Sequence, residues 1–539
     1  MCVRRHGPAD GVRLLFSHGN GFAADAYFPY WQYLLVDFDF IVFDFRNHGQ
    51  NVLVVPPHHN LRAARGRDGP QKAMEMTSGI SGPATLAYAS RGVGSDRSDV
   101  DILRAFAIAL GICWSVLFVV VGLRYELQMY ADGSIFSYAI AVRDAWAFHW
   151  HNISDRLFVY LFCHLPAETY VELAGDPYGG IVVYGFLFFV APLLGLTATF
   201  AADRSRGRII FSYACLSTAC LCPLVFGFPT ETWMAHALFW PTLAVCHYAR
   251  SSKGGIALVF ATLLALVFTH EGALIFAVAI VATLSFRGLR DAAFLRAAGA
   301  FFVVLSIWAI VKARFPPDSY IADVLHSAAL HVFDVIILAG HLVLLLVITL
   351  ASYGIAFYVV RRLGPAKASI CAASMVALGL GAYWVWFDGT LHTDNRYYLR
   401  TVLLIATPAL GMLAAAYALR ADDRLNFAIP LMRRPMAALA SSAVTRSAAG
   451  AIALVTLVHI VETEKFVRAW RDYEVAVRTL ATGALSDPML GDPHFVSSDR
   501  IGPDLNRLSW SSTTHFLSVL VAPRFAPVRL VIDPDADYF

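Results

Sequence analysis

Groups able to grip a phosphate and groups able to take a proton both occur in this chain, far apart in sequence. Arg396 and Arg400, in Thr393-Asp394-Asn395-Arg396-Tyr397-Tyr398-Leu399-Arg400, stand one helical turn apart and so share a face. Guanidinium groups hold phosphate bidentately. Lys312 and Arg314 form a second cationic pair. Carboxylates concentrate in one polar connection, which carries Glu126, Asp132, Asp144, Asp155, Glu168, Glu172 and Asp176. Two more acids stand at the edges of apolar runs, where charge is costly and usually purposeful: Glu231 after Pro229-Thr230, and Glu271 beside His270. A carboxylate that takes a proton from an attacking hydroxyl, with cations to receive a departing phosphate, suits transfer from a phosphate-linked donor. Each charge has a plainer account as well, as a solvated loop residue or an arginine snorkelling at a span end. His236 and His247 lack the close ligand spacing of a metal site and suit hydrogen-bonded packing, and no metal ligands are assigned. Cys215, Cys220 and Cys222 fall within one apolar run and read as small packing residues.

The elements that must position these groups are membrane helices. Of 539 residues, 58% are hydrophobic and only 15% charged, against about 25% charged in soluble domains. A net charge of +3, without a long basic run, gives no reason to expect a nucleic-acid partner. Apolar runs predict about eleven spans, at 102–123, 181–202, 209–226, 233–248, 256–269, 272–286, 297–311, 335–360, 368–387, 402–419 and 447–461. The two runs within 256–286 are expected to turn at His270-Glu271-Gly272. Alternate short loops are rich in arginine and lysine: 204–208, 250–253, 287–296, 361–367 and 420–446. By the positive-inside rule these face the cytoplasm, which puts the N-terminus inside and residues 462–539 outside a plasma (inner) membrane. The expected fold is therefore an all-α polytopic bundle over 101–461, with a long outer loop at 124–180 and a small outer C-terminal domain at 462–539. In that loop Ile135 to Tyr138 and Leu157 to Leu165 are too short to span and suit interfacial helices, with Trp146 and Trp150 at headgroup level. In the tail, Phe466, Trp470, Tyr473, Val477 and Leu480 recur at helical spacing. Phe516 to Val521 and Val528 to Ile532 read as strands.

The N-terminal residues are of another kind. A strand-like Val12 to Phe16 ends in Ser17-His18-Gly19-Asn20-Gly21, and Phe40 to Phe43 ends in Asp44-Phe45-Arg46-Asn47-His48-Gly49. Over about 12–56 this resembles the start of an α/β-hydrolase, whose early His-Gly turn helps form the oxyanion hole. No Gly-x-Ser-x-Gly elbow follows, so no nucleophile is presented. Residues 1–56 are expected to be a truncated, inactive α/β fragment, and 57–100 a disordered linker.

Over about 100–539 the layout resembles membrane glycosyltransferases of the GT-C type. It shares with them an inside N-terminus, an acidic first outer loop with interfacial helices, many spans and an outer C-terminal domain. The resemblance implies a lipid-bilayer setting and a polyprenyl-phosphate-sugar donor. It implies that an acid close after the first span serves as the base or holds a divalent cation. Asp132, in Tyr130-Ala131-Asp132-Gly133-Ser134, matches that place best and Asp144 next. Arg396, Arg400, Lys312 and Arg314 would then face the lipid phosphate, with Glu231 and Glu271 edging the cavity that Asp132 faces. Two alternatives stand: a transporter or flippase without transfer chemistry, which predicts internal repeats and broken helices where no repeat is evident, and a membrane-tethered hydrolase, against which the missing elbow argues.

Overall fold

A computed structural model describes residues 92–143, 156–222, 230–316, 396–424, 442–483, 494–506, 508–509 and 513–533, with isolated helical positions between 358 and 378. The α/β-hydrolase-like segment 12–56 and most of the expected spans at 335–360 and 368–387 lie outside the described residues.

Helices dominate. Among the described residues they are, in chain order, α1 Gly92–Arg124, α2 Asp132–Ala141, α3 Leu157–Val159, α4 Leu165–Ala174, α5 Pro177–Ala202, α6 Ile209–Leu221 and α7 Glu231–Tyr248. There follow α8 Lys253–Val267, α9 Ala273–Leu284, α10 Ala292–Arg314, α11 Arg396–Ala421, α12 Ser442–Thr482, α13 Pro503–Asn506 and α14 Thr514–Leu520. Among the described residues, four helical stretches are long and apolar enough to cross a membrane: Asp101–Arg124, Pro177–Ala202, Ala292–Arg314 and Leu403–Ala421. Helix α10 leaves Leu295, Phe302, Val303 and Ile310 exposed, a surface that water would disfavour and lipid would not. Helix α1 begins at Gly92, inside the stretch expected to be linker.

Local chemistry sets the boundaries. The Asp291 side chain accepts from the Ala293 amide at 2.8 Å and starts α10, and Ser252 caps α8 by accepting from Gly255 at 3.2 Å. The turn expected at His270-Glu271-Gly272 does separate α8 from α9. Helix α7 is buried almost throughout, because α5, α8, α9 and α11 all pack on it. Its contact with α5 depends on a missing side chain. A Cβ on Gly195 would stand 2.4 Å from the Ala237 carbonyl oxygen. Small residues that let backbones meet are the usual means of joining apolar helices, where lipid supplies no hydrophobic drive.

One core layer gathers Leu196, Phe239, Trp240, Leu263, Phe276 and Ala414 within the bundle. The other joins Phe118, Tyr184 and Trp233 to the 124–180 loop and to the tail residues Phe466, Trp470 and Tyr473. The tail is thus packed on the loop. Trp470 Nε1 donates to the Tyr125 carbonyl at 2.8 Å, and Tyr138 meets Phe516 at 5.1 Å between ring centroids.

Two expectations for the tail change. The apolar run at 447–461 and the amphipathic stretch after it form one continuous helix, α12, because Glu462, Glu464 and Lys465 are helix formers and nothing between them breaks the chain. Phe516 to Val521 is helical, not a strand. Leu517, Leu520 and Val521 are buried at three- and four-residue spacing, which a helix satisfies and an alternating strand does not. The expected strand at 528–532 is present as β2, Leu530–Ile532, paired in parallel with β1, Phe495–Ser497.

Gly195→Ala is expected to lower stability by about 1–3 kcal/mol, since the α5–α7 backbones must part. Gly299→Ala, in open space within α10, should raise it by about 0.5–1 kcal/mol. Unfolding in detergent checks both.

Candidate functional site

The strongest concentration of buried charge lies where α7 begins, α8 turns into α9 and α10 ends. A single backbone bond brings the 124–180 loop there: the Phe158 amide donates to the Phe268 carbonyl at 2.9 Å, docking the start of α3 on the end of α8. Arg156 therefore stands between two acids. Its Nη1 donates to Glu231 Oε1 at 3.0 Å and its Nη2 to Glu271 Oε2 at 3.3 Å. Lys312 Nζ lies 4.0 Å from Glu271 Oε1. Glu231 is nearly inaccessible, with only 4% of its side chain exposed. A carboxylate so placed is tolerable only when paired. His270 turns Nδ1 toward the Gly272 amide, which donates to it at 3.0 Å, so that nitrogen is the acceptor of the ring.

Burial alone would push the Glu271 carboxyl up. Arg156 foremost, then His270, the residue's own backbone amide and Lys312, outweigh burial and hold it down at about 2. Behind this cluster His164 is fully buried, packed edge-on to Phe136 and tilted against Tyr184. Burial keeps the ring neutral, pushing its pKa down to about 3 although nearby Glu231 favours the charged form.

Asp132 belongs to the same end. It opens α2, whose Phe136 packs edge-on against His164, and is half-buried. The backbone before it is under strain: Glu126 and Ala131 both have positive φ, at 53° and 51°. Three contacts hold it so. The Tyr178 hydroxyl donates to Glu126, and Ser134 Oγ donates to the Ala131 carbonyl at 2.9 Å and to the Thr513 carbonyl of the tail at 3.1 Å. Between the strained residues Gln128 is 1% exposed, and neither amide atom has a hydrogen-bond partner among the described residues. Leaving such a group unmet costs about 1–3 kcal/mol.

The structure thus brings together Glu231, Glu271 and Lys312, with Asp132 nearby. Arg314 lies exposed beyond Lys312. Arg396 and Arg400 both fall in the first turns of α11, but their side chains lie outside the described residues, as does Asp144. Sequence reasoning missed Arg156, His164 and Gln128. His236 and His247 are packing groups, bonded to Ser217 at 2.8 Å and Thr283 at 2.9 Å. Among the described residues no three His, Cys, Asp or Glu converge, and Glu231 and Glu271 spend oxygens on Arg156.

Compared with protein-family models, with curated proteins and with solved structures, the chain matches none of them.

Arg156→Met would take the guanidinium from both buried carboxylates, so a loss of about 3–5 kcal/mol is expected on unfolding in detergent. The Glu271 contribution should be complete above about pH 4.5 and drain away as pH falls toward 2, because its folded pKa lies below the unfolded one. It is worth on the order of 3 kcal/mol, and Glu271→Gln should flatten that part of the stability–pH curve.

Proposed function

We propose that this chain is a membrane enzyme resembling GT-C glycosyltransferases, with about eleven spans. It would transfer a sugar from a lipid-phosphate donor at the outer face of the plasma membrane. One observation carries the reading: the acidic loop with Asp132, the Arg156–Glu231–Glu271 cluster and the folded tail converge on one end of the bundle. A transporter has no need of a strained acidic loop pinned by an extramembrane tail. Nothing in the described residues favours that reading over transfer.

In the proposed reaction an acceptor hydroxyl attacks the anomeric carbon while the Asp132 carboxylate takes its proton. The bond from that carbon to the donor's phosphate oxygen breaks, and the electron pair leaves with the lipid phosphate. Lys312 and Arg314 at the end of α10, with Arg396 and Arg400 at the start of α11, supply the positive charge that meets it. Glu231 and Glu271 act indirectly: through Arg156 they fix the loop that carries the base. The N-terminal hydrolase-like segment is a passenger in this scheme.

Asp132→Asn keeps the side-chain shape and removes the base. Transfer from a radiolabelled polyprenyl-phosphate sugar, measured in membranes, should fall at least about 100-fold. Unchanged transfer would sink the reading.

A further inference from the structure

The opposite end of the bundle holds a cavity of about 580 Å³. Helix α7 links the two ends: Glu231 stands at its start and Tyr248 at its finish, about 25 Å apart by helix rise. The cavity wall comes from the turn after α5, the end of α7, the start of α10 and the end of α11. Five arginines line it, Arg204, Arg206, Arg287, Arg296 and Arg424, against three aspartates.

The charges are not interchangeable, because most of the acids are already committed. Asp422 Oδ1 accepts from the Arg206 amide at 2.8 Å and its Oδ2 from the Tyr248 hydroxyl at 2.7 Å. Asp291 caps α10 and pairs with Arg287 Nε at 3.2 Å. Two of the arginines are fixed to the wall. Arg287 Nη1 donates to the His247 carbonyl at 2.7 Å, while Arg296 donates to Ser251 Oγ at 3.1 Å and the Ala249 carbonyl at 3.0 Å. Arg204, Arg206 and Arg424 are exposed at the rim, and their guanidinium groups have no partner among the described residues. Only Asp423 among the lining acids likewise has an uncommitted carboxylate there. The positive excess is therefore built into the cavity and left facing its opening. The positive end of α10, at Ala292 and Ala293, lines the same space.

Guanidinium forks match the oxygens of phosphate, and the volume exceeds what a bare anion needs. We propose that this cavity binds a phosphate ester, as the headgroup of an acidic lipid or as a phosphorylated small molecule. Basic pockets between membrane helices hold anionic headgroups in this way. The inference is independent of sugar transfer at the other end.

The test uses the full chain in lipid nanodiscs. One arm measures retention of phosphatidylglycerol by native mass spectrometry. The other titrates glycerol 3-phosphate into discs of phosphatidylcholine alone. Retention without titration assigns a lipid headgroup, titration without retention a soluble ester, and both support the site. The R204Q/R206Q/R424Q variant should weaken whichever signal appears by at least about tenfold. The proposal is overturned if the wild type binds neither probe. It is equally overturned if the triple variant, melting within about 2 °C of wild type, binds as the wild type does. Should that variant unfold, Asp423→Asn decides: tightening of about threefold supports the site, and unchanged binding overturns it.

Discussion

A buried carboxylate must be met by a cation or be neutralised, and this requirement orders the end of the bundle where α7 starts. Glu231 is met there by Arg156, and the Phe158 amide bonds to the Phe268 carbonyl two residues further along the same loop. By spanning Glu231 and Glu271, one guanidinium ties the 124–180 loop to two separate helical elements. The fork geometry matters: an ammonium at the same place would be a point charge, and could not address two acids along fixed directions. The loop is thereby held as part of the bundle.

The same loop is clamped from its other side by the tail. Tyr130 is enclosed by Phe466 at 5.1 Å and Trp470 at 5.3 Å between ring centroids, both edge-on. Ser134 reaches the tail backbone at Thr513. These contacts offset the unfavourable backbone at Glu126 and Ala131, which a free loop would relax. The strained backbone lies directly before Asp132, under aromatic packing from the tail. Burial of Gln128 with unmet amide atoms belongs to the same account.

Helices and their breaks were legible where apolar runs end in polar or turn-forming residues, as at His270-Glu271-Gly272 and before Ala292. The amphipathic face of Phe466, Trp470, Tyr473 and Val477 was legible too, since all four are buried at helical spacing. Short apolar runs were not, because Phe516 to Val521 satisfies either period until packing chooses. Of the site, the costly acids Glu231 and Glu271 stood out by their place at the edge of apolar sequence. Arg156 did not: its partners lie 75 and 115 residues away, and no local pattern marks a pairing of that range. Three of the basic loops that suggested orientation also converge in space, with Arg204, Arg206, Arg287, Arg296 and Arg424 around one cavity. A loop-by-loop count of charge sees the sign of such a group and not its enclosure.

Helix α12 runs unbroken for 41 residues, from the apolar stretch into the packed tail, a rod about 60 Å long. A rod has no joint at which to absorb rotation. Phe466 and Trp470 sit on that rod and press directly on Tyr130, two residues before Asp132. The apolar stretch and the packing around the start of α2 therefore belong to one continuous element.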